Sequence, residues 1–430
     1  MSAAEEAARA LDRDDPLSAL RREFAVPPWR GGPQPELAYL AGSSLGLMPR
    51  AVPDAVAADL EDWATLGVQG HSGARQPWLT YHEATRETSA RLVGALPGET
   101  VCMNSLTVNL HLMMVSFYRP TRDRYRILIE DAAFPSDSYA VASQIRHHGL
   151  DPDTATIRLR PREGERTLRG EDVVDRIERE GPTLSLVLLG GVSYLTGELL
   201  PMAEITAATH AAGAVSGWDL AHAAGNVPLA LHDWGVDWAA WCSYKYLNSG
   251  PGAVAGCFVH ERHACDPSIP RFAGWWGNDL SRRFRMSPVF EARPDVEGWQ
   301  LSNPPILSFA PVRVSLEIFD RVGIEALRRR SLRLTGFLES LLREAAERAP
   351  LTVITPADPE ARGCQLSIEV PGDAVEVARR LRDEHGIVCD ERPPNIVRLT
   401  PVPLYNSFHD VWRAADGLVQ VLGASAPPSR

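Results

Sequence analysis

The stretch "WCSYKYLNSG", residues 241–250, contains the only lysine of the chain: of 44 basic side chains, 43 are arginine and one is Lys245. A codon bias toward arginine can clear lysines from a surface, where either cation serves as a solvated charge. It cannot replace an amine that must lose its proton, attack a carbonyl and form a Schiff base. Most lysines are solvated charges. Here Trp241, Cys242, Tyr244, Tyr246 and Leu247 flank the lysine and argue against an open surface. The segment therefore reads as a reactive amine in a sheltered site.

The surrounding composition is that of a globular protein. A chain of 430 residues that is 44% hydrophobic can bury a large core in two or three domains. Its 55 acidic residues outweigh the basic ones, for a net charge of −11. No basic run or stripe of the kind that neutralises phosphate backbones is present, so nucleic acid is not an expected partner. The start "MSAAEEAARALDRDDPL" is acidic and has no apolar core of a leader peptide, and nowhere do about eighteen apolar residues follow one another. The expectation is a cytoplasmic protein with no membrane contact. The six cysteines form no CxxC pair, so they read as reduced packing residues, and no metal is expected.

Working outward from the lysine, short apolar runs alternate with amphipathic stretches, the pattern of βα units around a mostly parallel sheet. Candidate strands are "RILIE" (126–130), "LSLVLL" (184–189), "AVSGW" (214–218), "WAAWC" (238–242) and "VAGCFV" (254–259). In an open parallel sheet the carboxyl ends of the strands form the ligand crevice. The turns there read "DAAFPSD", "GGVSYLTG", "DLAHAAG" and "SYKYLNSGPG". After about residue 310 the pattern changes to a long charged helix, "EALRRRSLRLTGFLESLLREAAERA". A smaller α+β set follows, with strands in "LTVITP", "CQLSIEV", "GIVCDE" and "IVRLTPV" and helices in "DAVEVARRLRDEHG" and "SFHDVWRAADGLVQVLG". The tail "ASAPPSR" reads as disordered.

Asp219 ends one candidate strand and Lys245 lies just past the next. If the strands are neighbours, carboxylate and amine meet at one crevice. A pyridoxal phosphate site needs that pair: a lysine for the Schiff base and a carboxylate on the pyridine nitrogen that keeps the ring an electron sink. Read alone, Asp219 is also a good helix N-cap. "MNSLTVNLHLMMVSF" places Ser105, Leu106 and Thr107 before an apolar helical run, which suits capture of a phosphate at a positive helix end, or an ordinary Ser/Thr cap. Phe134 in "FPSD" follows a strand, where an aromatic can stack on a pyridine ring or simply pack in the core, and Asp137 closes that loop.

Together "SLTVNLH", "FPSD", "WDLAHAAGNVPLALHDWGVDWAAWCSYKYLNSG", "GWWG", "LSNPPIL" and "RLTPVPLYNSFHDV" resemble the kynureninases, pyridoxal phosphate enzymes of the fold type I aminotransferase superfamily. The resemblance runs from "AGSSLGL" to the last helix. It implies the fold type I architecture: an N-terminal segment (1–50) packing on the small domain, a large cofactor-binding domain (51–310) and a small C-terminal domain (311–430). It implies that Lys245 holds the cofactor, Asp219 pairs with the pyridine nitrogen and His222 faces the cofactor. Phe134 stacks on the ring in a loop with Pro135, Ser136 and Asp137, while Leu106, Thr107 and Tyr244 hold the phosphate end and Tyr244 shuttles protons. Trp275 and Asn303 are implied to reach across from the second subunit of a homodimer with shared active sites. Arg398 is implied to grip the substrate α-carboxylate, and His71 to lie over its aromatic end with Asn303.

The implied activity is hydrolytic Cβ–Cγ cleavage of kynurenine or 3-hydroxykynurenine, releasing L-alanine, in tryptophan breakdown, NAD supply or a secondary-metabolite pathway. Two departures stand out: Ser43 replaces a usual asparagine, and Gly190 replaces a serine that faces the cofactor in some members. Other fold type I activities (desulfurase, aminotransferase, epimerase) are the nearest alternatives. A non-catalytic pyridoxal phosphate binder is disfavoured by the joint presence of Lys245, Asp219 and Arg398.

Overall fold

The computed structural model describes residues 2–423 other than 267. The tail "ASAPPSR" (424–430) lies outside the described residues. The described strands are β1 Ala38–Tyr39, β2 Thr100–Cys102, β3 Arg126–Glu130, β4 Thr156–Leu159, β5 Leu184–Gly190, β6 Val215–Asp219, β7 Trp238–Trp241, β8 Gly256–Val259, β9 Thr352–Val353, β10 Leu366–Glu369, β11 Ile387–Val388, β12 Asp390–Arg392 and β13 Ile396–Leu399.

Strands β2 to β8 form one seven-stranded sheet in the order β2-β8-β7-β6-β5-β3-β4. Only β8 runs against its neighbours, so the sheet is mostly parallel, as the alternation of apolar runs and helices implies. The central strands are apolar along nearly their whole length because helices cover both faces. Their side chains alternate between two cores: Leu128, Val187 and Leu189 face one side, and Ile127, Ile129, Leu186 and Leu188 the other. Full burial of each such side chain contributes about 1.5–3 kcal/mol, so a one-residue slip in register would forfeit a whole face of contacts.

The C-terminal part is a smaller α+β unit, with the antiparallel sheet β12-β13-β10-β9. Helices Ile324–Ala346, Ala374–His385 and Phe408–Gly423 pack on it. Its core holds Leu334, Leu338, Leu366, Ile368, Val397, Leu399, Val411 and Leu418, and also Ala8, Ala38 and Leu40 from the start of the chain. β1 pairs in parallel with β11. The carboxylate of Asp12 accepts the backbone N–H groups of Phe408 (2.7 Å) and His409 (3.0 Å), satisfying donors at the start of the last helix.

Three strands escaped the sequence reading: β1, β2 and β4. They are two to four residues long, and β1 and β2 have no room for a recognisable alternation. The run "GIVCDE" divides at Cys389 into β11 and β12, which belong to different sheets.

Candidate active site

The parallel strands end together at Glu130, Gly190, Asp219 and Trp241, and the turns beyond them wall a cavity of about 400 Å³. β6 and β7 are neighbours, with Asp219 opposite Ala240, so Asp219 and the segment after β7 open into the same space. Lys245, Asp219, His222, Tyr244, Phe134, Ser136, Asp137, Leu106 and Thr107 all line it.

The lysine loop is braced on itself. Ser243 Oγ donates to the Val254 carbonyl (2.5 Å), Ser249 N to the Ser243 carbonyl (3.0 Å) and Asn248 N to the Lys245 carbonyl (3.0 Å). Gly46 N donates to the Tyr244 carbonyl at 2.8 Å. A Cβ at Gly46 would stand 2.3 Å from the Lys245 carbonyl oxygen, so only glycine lets "AGSSLGL" come this close. Lys245 Nζ lies 3.0 Å from His222 Nε2 and 5.8 Å from the centre of the Phe134 ring. Phe134 in turn meets the Tyr194 ring edge-on at 5.4 Å.

Two buried carboxyls, Asp219 and Asp137, feel the charge of the amine, and a third, the half-buried Glu130, lies on the same cavity wall. Asp219 accepts the Ala221 N–H on Oδ1 (2.7 Å), closing a turn; no helix follows it, so it is not the helix N-cap that the sequence also allowed. Burial raises its proton affinity, opposed by that N–H and by the charge of Lys245. Asp137 is raised well above the usual carboxylate range, by burial first and then by the negative charge of Asp219. Two acids this close cannot both ionise cheaply without a cation between them. Glu130 accepts the Gly190 N–H at 2.7 Å, and burial pushes its carboxyl up to about 7. A Cβ at Gly190 would come within 3.3 Å of that carboxylate, so Glu130 occupies the flank of the position where a serine was a candidate. Glu198, also on the cavity wall, is raised to about 7 by burial.

Two helices begin side by side at the cavity, and one of them carries Asp137 in its first turn. Helix Leu106–Phe117 starts without a side-chain cap on its first turn, and helix Pro135–His147 starts at Phe134. Thr107 Oγ1 and Ser136 Oγ are 2.9 Å apart between them. The uncapped first turn of helix Leu106–Phe117, with the Thr107 and Ser136 hydroxyls beside it, forms an anion-binding corner.

Other expected residues lie elsewhere. Arg398 is fully buried behind the wall, donating to the Tyr194 carbonyl (2.5 Å) and paired with Asp390 (2.6 Å). His71 stands edge-on to Trp78 at 5.4 Å, off the cavity wall, with Nδ1 unpartnered. Trp275 and Asn303 are exposed and do not line the cavity within one chain. The sequence reading missed Glu130, Glu198, Tyr194, Ser193 and Arg392, all on the wall. Glu130 and Tyr194 follow strand ends quoted above, which was signal enough to find them. Arg392 was hidden among 43 arginines.

The family model for the kynureninase C-terminal domain matches residues 327–418. Kynureninases from Salinispora tropica (63% identical, 96% of each chain covered), Koribacter versatilis (56%, 94% of each) and Myxococcus xanthus (56%, 94% of each) are similar along nearly the whole length. Among solved structures, a cysteine desulfurase from Escherichia coli superposes with a TM-score of 0.76 over 95% of this chain and 99% of that one, at 18% identity. A cystine C–S lyase bound to cysteine persulfide gives 0.75 over 89% and 97%, also at 18%. At that identity the likeness is one of fold.

Proposed function

The chain belongs to the kynureninase family, and on that premise we propose that Lys245 is the attachment point of its cofactor, pyridoxal 5'-phosphate. It is a pyridoxal phosphate enzyme that hydrolyses the Cβ–Cγ bond of L-kynurenine or 3-hydroxy-L-kynurenine to anthranilate or 3-hydroxyanthranilate and L-alanine. The observation that carries the assignment of roles is the meeting of the one lysine, a buried carboxyl pair, a flat aromatic and two open helix starts in one cavity.

These residues fit the cofactor end to end. The amides of Leu106 and Thr107, with Ser136 and Tyr244, suit the phosphate; Phe134, with Pro135 behind it, suits one face of the ring. Asp219 suits the pyridine nitrogen, and Asp137 beside it shares the proton. A cationic ring nitrogen is the missing charge that lets Asp219 ionise despite its burial. When bound, the cofactor supplies an aldehyde for the substrate amine and a ring that stores the electrons left when the α-proton departs.

The chain's own groups do the rest. The Lys245 amine, freed by the substrate, removes the α-proton and returns protons along the substrate chain. His222 stays neutral and accepts a hydrogen bond from Lys245 Nζ, which aims the amine without competing as a base. Tyr244, whose hydroxyl burial keeps protonated, relays protons as water adds to the γ-carbonyl. Arg398, which within one chain is turned to Tyr194 and Asp390 behind the wall, is the residue proposed to hold the α-carboxylate. Trp275 and Asn303 come from the partner subunit of a homodimer, with His71 and Asn303 at the aromatic end. Support for a partner surface comes from the exposed apolar side chains of Phe272, Trp275, Phe284, Met286 and Val289. The N-terminal segment (1–50) goes with the small domain (311–430), in keeping with the shared core of Ala8, Ala38 and Leu40. Among the described residues no helix is long and apolar enough to cross a membrane, and we place the enzyme in the cytoplasm.

A desulfurase needs an accessible thiol at the cavity, and none of the wall residues is cysteine. For the ring substituent, a buried hydroxyl needs a polar partner, which His71 and Asn303 would supply. A site built for that hydroxyl discriminates against its absence by roughly ten- to a hundredfold. Steady-state kinetics on both substrates test this: higher kcat/KM for 3-hydroxykynurenine, lost in Asn303→Thr, is expected, and a clear preference for kynurenine refutes it.

A further inference from the structure

Asp390 in β12 stands directly opposite Arg398 in β13. Its carboxylate is shared by two guanidinium groups, with Arg392 Nη2 also 3.5 Å from Oδ2. Oδ2 pairs with Arg398 Nη2 at 2.6 Å, and Oδ1 pairs with Nη1 of Arg392, two residues along β12 on the same face. One carboxylate therefore serves two cations. Asp390 is 6% exposed and Arg398 0%, so a net positive charge lies in and behind the wall of the cavity, where water screens it poorly.

The two arginines are not equivalent. Arg398 donates Nη1 to the Tyr194 carbonyl, its Nη2 lies 2.6 Å from Asp390 as an ion pair without hydrogen-bond geometry, its Nε is buried without a partner, and it does not line the cavity. Arg392 does line it, alongside Tyr194, His222 and Lys245. The other arginine on the wall, Arg166, is more exposed and turns its Nη2 onto both oxygens of Glu369 at 2.9 Å. The charges of the pair reach the reacting end of the site: after burial and Lys245, Arg398 and Arg392 are what lower the proton affinity of His222.

We propose that Arg392 is a second carboxylate-binding residue of the substrate site, acting with Arg398, and that Asp390 is the positioning residue that holds both guanidinium groups through one carboxylate. The inference rests on the reading of the substrate as an α-amino acid held by its carboxylate near Arg398. A substrate carboxylate entering the cavity meets Arg392 first and supplies the second negative charge that two guanidinium groups and one Asp390 lack. Arginine suits this shared task because its planar fork can bond one carboxylate along one edge and a second along another. The competing view makes Arg392 only a sheet-stabilising partner of Asp390, with its side chain 32% exposed.

The test uses the holoenzyme and its variants Arg392→Gln, Arg392→Lys, Asp390→Asn and Asp390→Glu. The readouts are kcat and KM for L-kynurenine, the Kd of L-alanine from the absorbance of the bound cofactor, and the melting temperature. Arg392→Gln is expected to raise KM and the alanine Kd by about tenfold or more, with KM taking the larger share of the loss in kcat/KM. Arg392→Lys should recover part of both, and Asp390→Glu should bind more tightly than Asp390→Asn. If Asp390→Asn does not fold, Arg392→Gln decides, since its side chain is partly exposed. Active wild type with unchanged KM and alanine Kd in Arg392→Gln, whatever its melting temperature, overturns the proposal alone. Wild type that neither turns over L-kynurenine nor binds L-alanine overturns the substrate reading beneath it.

Discussion

Lys245 Nζ and His222 Nε2 lie 3.0 Å apart, and the imidazole of that pair is neutral, because burial and then the charges of Lys245, Arg398 and Arg392 hold its pKa well below the ordinary value. His222 Nδ1 has no protein partner. The histidine thus orients the amine but does not balance its charge. On Asp219 the charge of Lys245 acts in the opposite sense, favouring the ionised carboxylate against the burial that raises its pKa.

Asp219→Asn should leave the fold intact, because the amide can still accept the Ala221 N–H that Asp219 accepts at 2.7 Å. Turnover should drop by about a hundredfold or more, since a neutral amide cannot keep the pyridine nitrogen protonated. Circular dichroism and single-turnover kinetics check the two halves. Near-normal rates would move the electron-sink role to another residue.

Glu130 should make the apoprotein lose stability as pH rises. Burial lifts its carboxyl from 4.5 to about 7 in the folded chain. A folded pKa above the unfolded one means that the stabilising contribution is complete below about 4.5 and is lost as pH climbs through about 7. The shift corresponds to roughly 3 kcal/mol. Melting curves of the apoprotein from pH 5 to 8 should therefore fall more steeply for the wild type than for Glu130→Gln, which has no proton to lose. Parallel curves would mean that Glu130 ionises freely.

Activity should depend on two chains. Mixing inactive Lys245→Ala and Asn303→Ala proteins, after demonstrated subunit exchange, should restore up to about a quarter of the wild-type sites, because one site of each mixed dimer receives both native residues. No recovery would place Asn303 in its own chain's site.

Much of this was legible in the sequence where burial is continuous. β3, β5, β6, β7 and β8 stand out because strands covered on both faces read as unbroken apolar runs. β1 and β2 are too short to show a period, and β2 and β4 lie at the two edges of the sheet. In the site, Lys245 was visible through its singularity and Asp219 through its distance from it. Glu130 and Glu198 look like ordinary solvated acids until the fold buries them. Arg392 needed β12 and β13 in register before its sharing of Asp390 with Arg398 could be seen. Trp275 and Asn303 do not line the cavity within one chain, so family resemblance alone points to them.

The most direct measurement is borohydride reduction of the holoenzyme, followed by peptide mapping. Lys245 is the only lysine in the chain, so no second ε-amine can take the label. The account predicts one pyridoxyl group on the peptide spanning "WCSYKYLNSG" and none in Lys245→Ala, which should also release no L-alanine from L-kynurenine. A reduced holoenzyme whose Lys245 peptide carries no label would contradict it.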